Sequence, residues 1–162
     1  MSSKPQKVYL RPANCNDCQL LWEWVNDSKV RSASFSSNII SWENHKKWFH
    51  EKLQSSNSHI FIAFDSDDQP IGQVRFEIQN QAHAEISISI VNSQRGLGYG
   101  CLIVNQGLQE VVNQTSVKVV TAWIKVENLA SQKLFEKANF KKIEKKQYQG
   151  CLAFKYQKLI KS

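Results

Sequence analysis

Two groups of residues in this chain have types and spacing that can do chemistry. The first is the run Arg95-Gly96-Leu97-Gly98-Tyr99-Gly100, which holds three of the chain's six glycines. Glycine lets backbone amides come close to a ligand, and the first amides of a helix are unpaired at the positive end of its dipole. Such a loop ahead of a helix can cradle a pyrophosphate, and Arg95 adds charge to the nest. The second group lies in the alternating run Ala84-Glu85-Ile86-Ser87-Ile88-Ser89-Ile90. There Glu85, Ser87 and Ser89 share one strand face, with His83 beside them. A carboxylate on that face can take a proton from an incoming nucleophile.

The glycine run is not a dinucleotide fingerprint, because the third glycine would have to stand at Cys101 or Ile103. No Gly-Lys-Ser or Gly-Lys-Thr follows, which excludes a nucleoside-triphosphate loop. What stands is an R-x-x-G-x-G pattern, which taken alone also reads as a tight strand-to-helix connection. Cys15 and Cys18 have zinc or redox spacing, but no second cysteine or histidine pair completes a tetrahedral set. The four cysteines read as free thiols, and no metal is expected.

These residues need elements to hold them. Lys7–Arg11 reads as a first strand, and Asn16, with Gln19 three residues on, reads as the cap of a helix running to about Asp27. On that helix Cys18, Leu21, Trp22 and Val25 share a face. Ser41 caps a second helix. The runs HIFIAFD, IGQVRFEI and AEISISIV read as an antiparallel meander. A helix from about Gly98 to Asn113, a β-branched strand, a helix capped by Asn128 and a hairpin around Gln149-Gly150 complete the chain. The order β-α-α-β-β-β-α-β-α-β-β predicts a single α/β (α+β) domain over residues 7–160. Its mixed, mainly antiparallel sheet should have about seven strands flanked by four helices.

Net charge is +7, but the lysines are dispersed, and their densest run, residues 137–146, reads as a helix end and a polar strand face. The charge therefore reads as a solvated surface, and no nucleic-acid partner is expected. No apolar run approaches the roughly 18 residues that span a bilayer, and no signal-peptide core opens the chain. A cytoplasmic protein without a membrane partner, monomer or homodimer, is the expectation.

The glycine loop, its flanking elements and NLASQKLFEKANF together resemble the GCN5-related N-acetyltransferase (GNAT) superfamily. Arg95, Gly98 and Gly100 match its Q/R-x-x-G-x-G/A loop, and Asn128 matches the asparagine that opens its second motif. Asn139 stands where that motif's closing E-K-x-G-F has glycine, and Asn tolerates the left-handed conformation of a helix end. The resemblance implies acetyl-CoA as cosubstrate. Its pyrophosphate would lie on Arg95, Gly96, Leu97, Gly98, Tyr99 and Gly100, its pantetheine along Ile88, Ser89 and Ile90, and its thioester end near Asn128 and Phe135.

Family members use a glutamate on the fourth or fifth strand as base. The fifth-strand position is Trp123 here, which leaves Glu85 as the catalytic candidate. Phe135 replaces the tyrosine that often serves as acid; Tyr99, Tyr148 and Tyr156 are possible substitutes. Basicity favours a weakly basic amine. A lysine-like amine of pKa about 10.4 is neutral in about one molecule in 2,500 at pH 7, a handicap of roughly 4.6 kcal/mol; for an α-amine it is only about 1–1.4 kcal/mol.

The first half of the chain looks like the branch that acetylates a 4-amino sugar on a nucleotide carrier in pseudaminic acid synthesis. Trp22, Asn26, Arg31, His45, Trp48 and Arg75 are the matching positions. By that resemblance Arg31 and Arg75 would hold the acceptor's pyrophosphate and Trp22 or Trp48 would stack on it, with His45 beside them. The small-molecule acceptor is then a nucleotide sugar. The rival readings are N-terminal protein or polyamine acetylation, acetyl-CoA binding without turnover, and a basic RNA-binding module.

Overall fold

Alternation and β-branching place seven strands in this computed structural model, which describes residues 6–160. They are β1 (Tyr9–Pro12), β2 (Ser58–Phe64), β3 (Pro70–Asn80), β4 (His83–Ile90), β5 (Val119–Lys125), β6 (Lys141–Tyr148) and β7 (Cys151–Leu159). They form one sheet in the order β1-β2-β3-β4-β5-β7-β6. Every pairing is antiparallel except that of β4 with β5.

Five α-helices pack on it, one more than the sequence predicts: α1 (Cys18–Val25), α2 (Ser28–Ala33), α3 (Trp42–Gln54), α4 (Tyr99–Gln114) and α5 (Leu129–Lys137). The extra one, α2, is six residues long and buries no residue, so no apolar period announces it. Asp27 starts it by accepting hydrogen bonds from the Lys29 and Val30 amides, which ends α1 early.

The cap of α1 also differs from the expected Asn16–Gln19 pair. A 3₁₀ turn, Cys15–Asp17, precedes α1, and Asn14 and Asp17 form a reciprocal capping box around it. Arg11 clamps Asp17 with two hydrogen bonds, at 2.9 and 3.0 Å, and so ties β1 to the helix start. Burial pushes the Asp17 carboxyl up, but Arg11 and the Asn14 amide outweigh it and hold it below the ordinary carboxylate range. Ser41 and Asn128 cap α3 and α5 as predicted.

The sheet has two unlike faces. Val74, Phe76, Ala84, Ile86, Val120 and Ala122 pack against Ile103, Val104, Val111 and Phe135 of α4 and α5 in the main core. A smaller cluster, Leu21, Phe49, Ile60 and Ile62, joins α1 and α3 to the other face. On that second face the central strands carry Gln73, Arg75, Glu77, His83, Glu85, Ser87, Ser89 and Thr121 in register.

Candidate active site

The site begins where β4 and β5 part. They pair only from His83–Val119 to Glu85–Thr121. Beyond that point β5 runs with β7, while β4 from Ile86 to Ile90 keeps β3 alone as its strand neighbour. The edge of Ile88, Ser89 and Ile90 that faces the gap carries no strand, so an extended ligand can pair there.

The gap ends at the glycine loop. Gly96 and Gly98 have φ of 75° and 89°, left-handed values that glycine adopts without strain. Gly98 is the N-cap of α4, and no side chain caps that helix, so its first-turn amides fit an anion. Gly100 serves packing as well: a Cβ there would lie 2.7 Å from Leu134 of α5. Leu97 is exposed and Tyr99 half-buried. Two left-handed glycines, an uncapped helix and an open strand edge together fit the pyrophosphate and pantetheine of coenzyme A.

Three expected cofactor contacts find other partners. Arg95 turns back from the loop, donating from Nε to the Ile90 carbonyl at 2.9 Å and lying 3.7 Å from Asp27. Asn128 spends its side-chain oxygen on the Ser131 amide. Phe135 is 2% exposed, packed edge-on against Phe140 inside the core.

On the polar face of the sheet a cavity of about 340 Å³ opens between β3, β4 and the first three helices. Arg31, His45, Trp48 and Arg75 line it with Ser87, Ile88 and Ser89. Trp22, expected to stack on the acceptor, is not among the lining residues; Trp24, which the sequence reading passed over, is. Trp22 instead donates from Nε1 to the Ile40 carbonyl at 2.8 Å, and its ring meets Trp42 edge-on.

Asn26 exchanges two hydrogen bonds with the main chain of Ile40, both 2.8 Å. Arg31 gives four donors to the Val25, Ser36 and Asn38 carbonyls and the Ser34 hydroxyl. Burial pulls its guanidinium below the ordinary value. Arg31 is therefore committed to the loop between α2 and α3 rather than free to clamp a pyrophosphate.

Arg75 is differently placed. Its guanidinium lies 5.0 Å from the centre of the Trp48 ring, and its buried Nε has no hydrogen-bond partner. Glu77 forms an ion pair with that same Nε at 3.4 Å and is itself held by Lys52 and Ser58. Burial lowers the Arg75 pKa while Glu77 and Glu85 raise it, with a net downward shift. His45, 3% exposed and stacked on Phe49, has its Nε2 2.9 Å from the Cys18 carbonyl. Burial lowers its pKa, so at neutral pH it is the neutral imidazole, with the proton on Nε2 because a carbonyl only accepts.

A second cavity of about 200 Å³ adjoins the first, sharing Trp24, Val30 and Ser89, and is lined by Glu23, Asp27 and Arg95. Glu85 lies half-buried at the fork, paired with Glu77 on one side and Thr121 on the other. His83 contacts the Thr121 hydroxyl on the same face. Of the three tyrosines, Tyr156 is fully buried and donates to Glu136 at 2.9 Å, which with burial pushes its pKa up to about 12. Tyr99 opens α4, and Tyr148 stacks on Trp123, on the sheet face that carries Glu85. Cys15 and Cys18 are free thiols.

Residues 7–141 match the acetyltransferase (GNAT) domain family. The chain belongs to that family. It is an acetyl-CoA-dependent N-acetyltransferase with a single GNAT domain. Solved structures share the fold across nearly the whole length. A spermidine N-acetyltransferase from Vibrio cholerae, in complex with CoA and spermine, is 18% identical with a TM-score of 0.82, covering 94% of this chain and 95% of that one. A domain from Methanocaldococcus jannaschii is 24% identical at 0.83, covering 96% and 99%. The aminoglycoside acetyltransferase AAC(6')-Ib with coenzyme A is 19% identical at 0.81, covering 94% and 95%. No curated protein sequence matches the chain. Among the described residues no helix is long and apolar enough to cross a membrane.

Proposed function

We propose that this GNAT enzyme acetylates a primary amine on a small acceptor that also carries an anionic group, an amino sugar on a nucleotide carrier. The observation that carries the reading is the larger cavity, which has Arg75 stacked over Trp48 and no carboxylate among its lining residues. A guanidinium in such a wall favours a phosphate, although Glu77, 3.4 Å from its Nε, offsets part of that charge, and Trp48 supplies a flat surface for a base or sugar. Arg31 supports the wall through the loop it holds. The same cavity disfavours a polycation, which needs carboxylates along its path.

When bound, acetyl-CoA supplies the activated acetyl group. The chain's own part is to hold its pyrophosphate on the amides of residues 96–100 and its pantetheine on the free edge of β4. Glu85, at the fork, takes the proton that the amine loses. An amine less basic than lysine suits a single carboxylate base, since the handicap is only about 1–1.4 kcal/mol for an α-amine against roughly 4.6 kcal/mol for a lysine-like one.

One observation favours a second reading. Glu23 and Asp27 line the smaller cavity, and two of the similar folds are spermidine N-acetyltransferase and an aminoglycoside acetyltransferase. A polyamine could lodge its charge there, although Asp27 is partly offset by Arg95. Thiol release from acetyl-CoA with a UDP-linked 4-amino-4,6-dideoxy sugar, spermidine and a ribosomal N-terminal peptide separates these acceptors. Turnover with the sugar alone is the expected result; turnover with spermidine alone would reverse the assignment.

A further inference from the structure

The hairpin of β6 and β7 brings a phenol to the fork that neither acetyltransferase motif supplies. Tyr148 is the last residue of β6 and pairs with Cys151 across the turn. Its ring lies flat on Trp123, with centroids 4.3 Å apart and planes 5° from parallel, and Phe35 meets it edge-on at 5.0 Å. Trp123 stands two residues along β5 from Thr121, the partner of Glu85, and so shares Glu85's face of the sheet. The aromatic residue that replaces a fifth-strand base thus seats a tyrosine on the sheet face that carries the fourth-strand one. Phe35 is tied in turn to this hairpin, since its carbonyl accepts from the Cys151 thiol.

We propose that Tyr148 is the proton-handling partner of Glu85 and the acid of the acetyl transfer. This rests on the acetyltransferase reading of the site and not on which amine it takes. The nitrogen lone pair forms the new carbon–nitrogen bond, and the carbon–sulfur pair leaves with sulfur. The amine's proton passes to the Glu85 carboxylate, and Tyr148 gives its phenolic proton to the departing sulfur. Glu85 then returns a proton to the Tyr148 oxygen, so the pair ends as it began.

Burial and then Glu85 raise the Tyr148 pKa, which keeps the phenol protonated for that role. The other charges around the pair are Arg75 and Glu77 on β3, His83 on β4, and Lys146 and Lys155, whose ammonium groups lie over Trp123 at 5.2 and 5.5 Å. The Cys151 thiol faces Phe35 across the hairpin.

Spectrophotometric titration of phenol ionisation in the free protein reads the pair without any acceptor. Glu85→Gln is expected to let one phenol ionise at lower pH, and the shifted transition is expected to vanish in Glu85→Gln/Tyr148→Phe. An unchanged phenol titration in Glu85→Gln overturns the pairing, whatever the acceptor. Tyr148→Phe keeps the ring stack, so it removes only the hydroxyl. With acetyl-CoA and whichever acceptor turns over, it should lower kcat roughly a hundredfold at an unchanged Kd for acetyl-CoA. The loss should shrink at high pH, where a thiol of pKa about 8.5 leaves unprotonated. Turnover of Tyr148→Phe within about twofold of the parent at neutral pH overturns the acid role.

Discussion

The two faces of the central sheet are built from the same strands and do opposite work. Under α4 and α5 the strands present Val74, Phe76, Ala84 and Val120, each fully buried. Under α1, α2 and α3 the alternate residues of the same strands are Arg75, Glu85, Ser87 and Thr121. The first face is fixed by volume and the second by charge and hydrogen bonds. Apolar packing and titratable side chains are thereby placed one residue apart along a single strand, on opposite sides of it.

Substitutions at neighbouring positions can break that division. Phe76→Ala should cost about 3–5 kcal/mol in urea unfolding, because it empties a fully buried site between β3 and α4. If such a variant keeps full stability, the core is not where the packing places it. Glu85→Gln should do the reverse, lowering kcat roughly a hundredfold, about 2.7 kcal/mol, with unfolding and acetyl-CoA affinity unchanged. A joint loss of stability and turnover in that variant would mean that Glu85 holds the fork together rather than moving protons.

The smallest effect sharpens the contrast by pH. His45 is a titrating group of the polar side that is nonetheless buried, and its folded-state pKa is lowered. Its contribution to stability is therefore complete above the ordinary imidazole value near 6.5 and is lost as pH falls through the lower folded value. Melting temperature should decline over that window in the parent chain and decline less in His45→Gln. Equal slopes in the two proteins would remove His45 from the account.

The apolar face was legible in the sequence because alternation reports directly which residues a strand buries. All seven strands, the caps Ser41 and Asn128 and the loop ahead of α4 come from such local signals. The polar face was legible in part. Glu85 and Arg75 follow from the same alternation. The helix faces do not, since α1 has only eight residues and the choice between Trp22 and Trp24 turns on where it starts. Arg31 reads as a free cation because its partners are main-chain carbonyls of a loop, which no side-chain pattern records. Tyr148 needs two long-range facts, the β5–β7 pairing and the hairpin register, before it can be set on Trp123 and so on Glu85's face of the sheet.

The loop between α2 and α3 is held at Ile40 by Trp22 and Asn26, and at Ser36 and Asn38 by Arg31, always through main-chain atoms. Ser36, Ser37, Asn38 and Ile39 are exposed. Their side chains can thus be exchanged without unfastening the loop's path. The loop reaches the larger cavity only at its two ends, Ser34 and Ile40, so fastening it through main-chain atoms fixes that part of the cavity wall whatever side chains stand between.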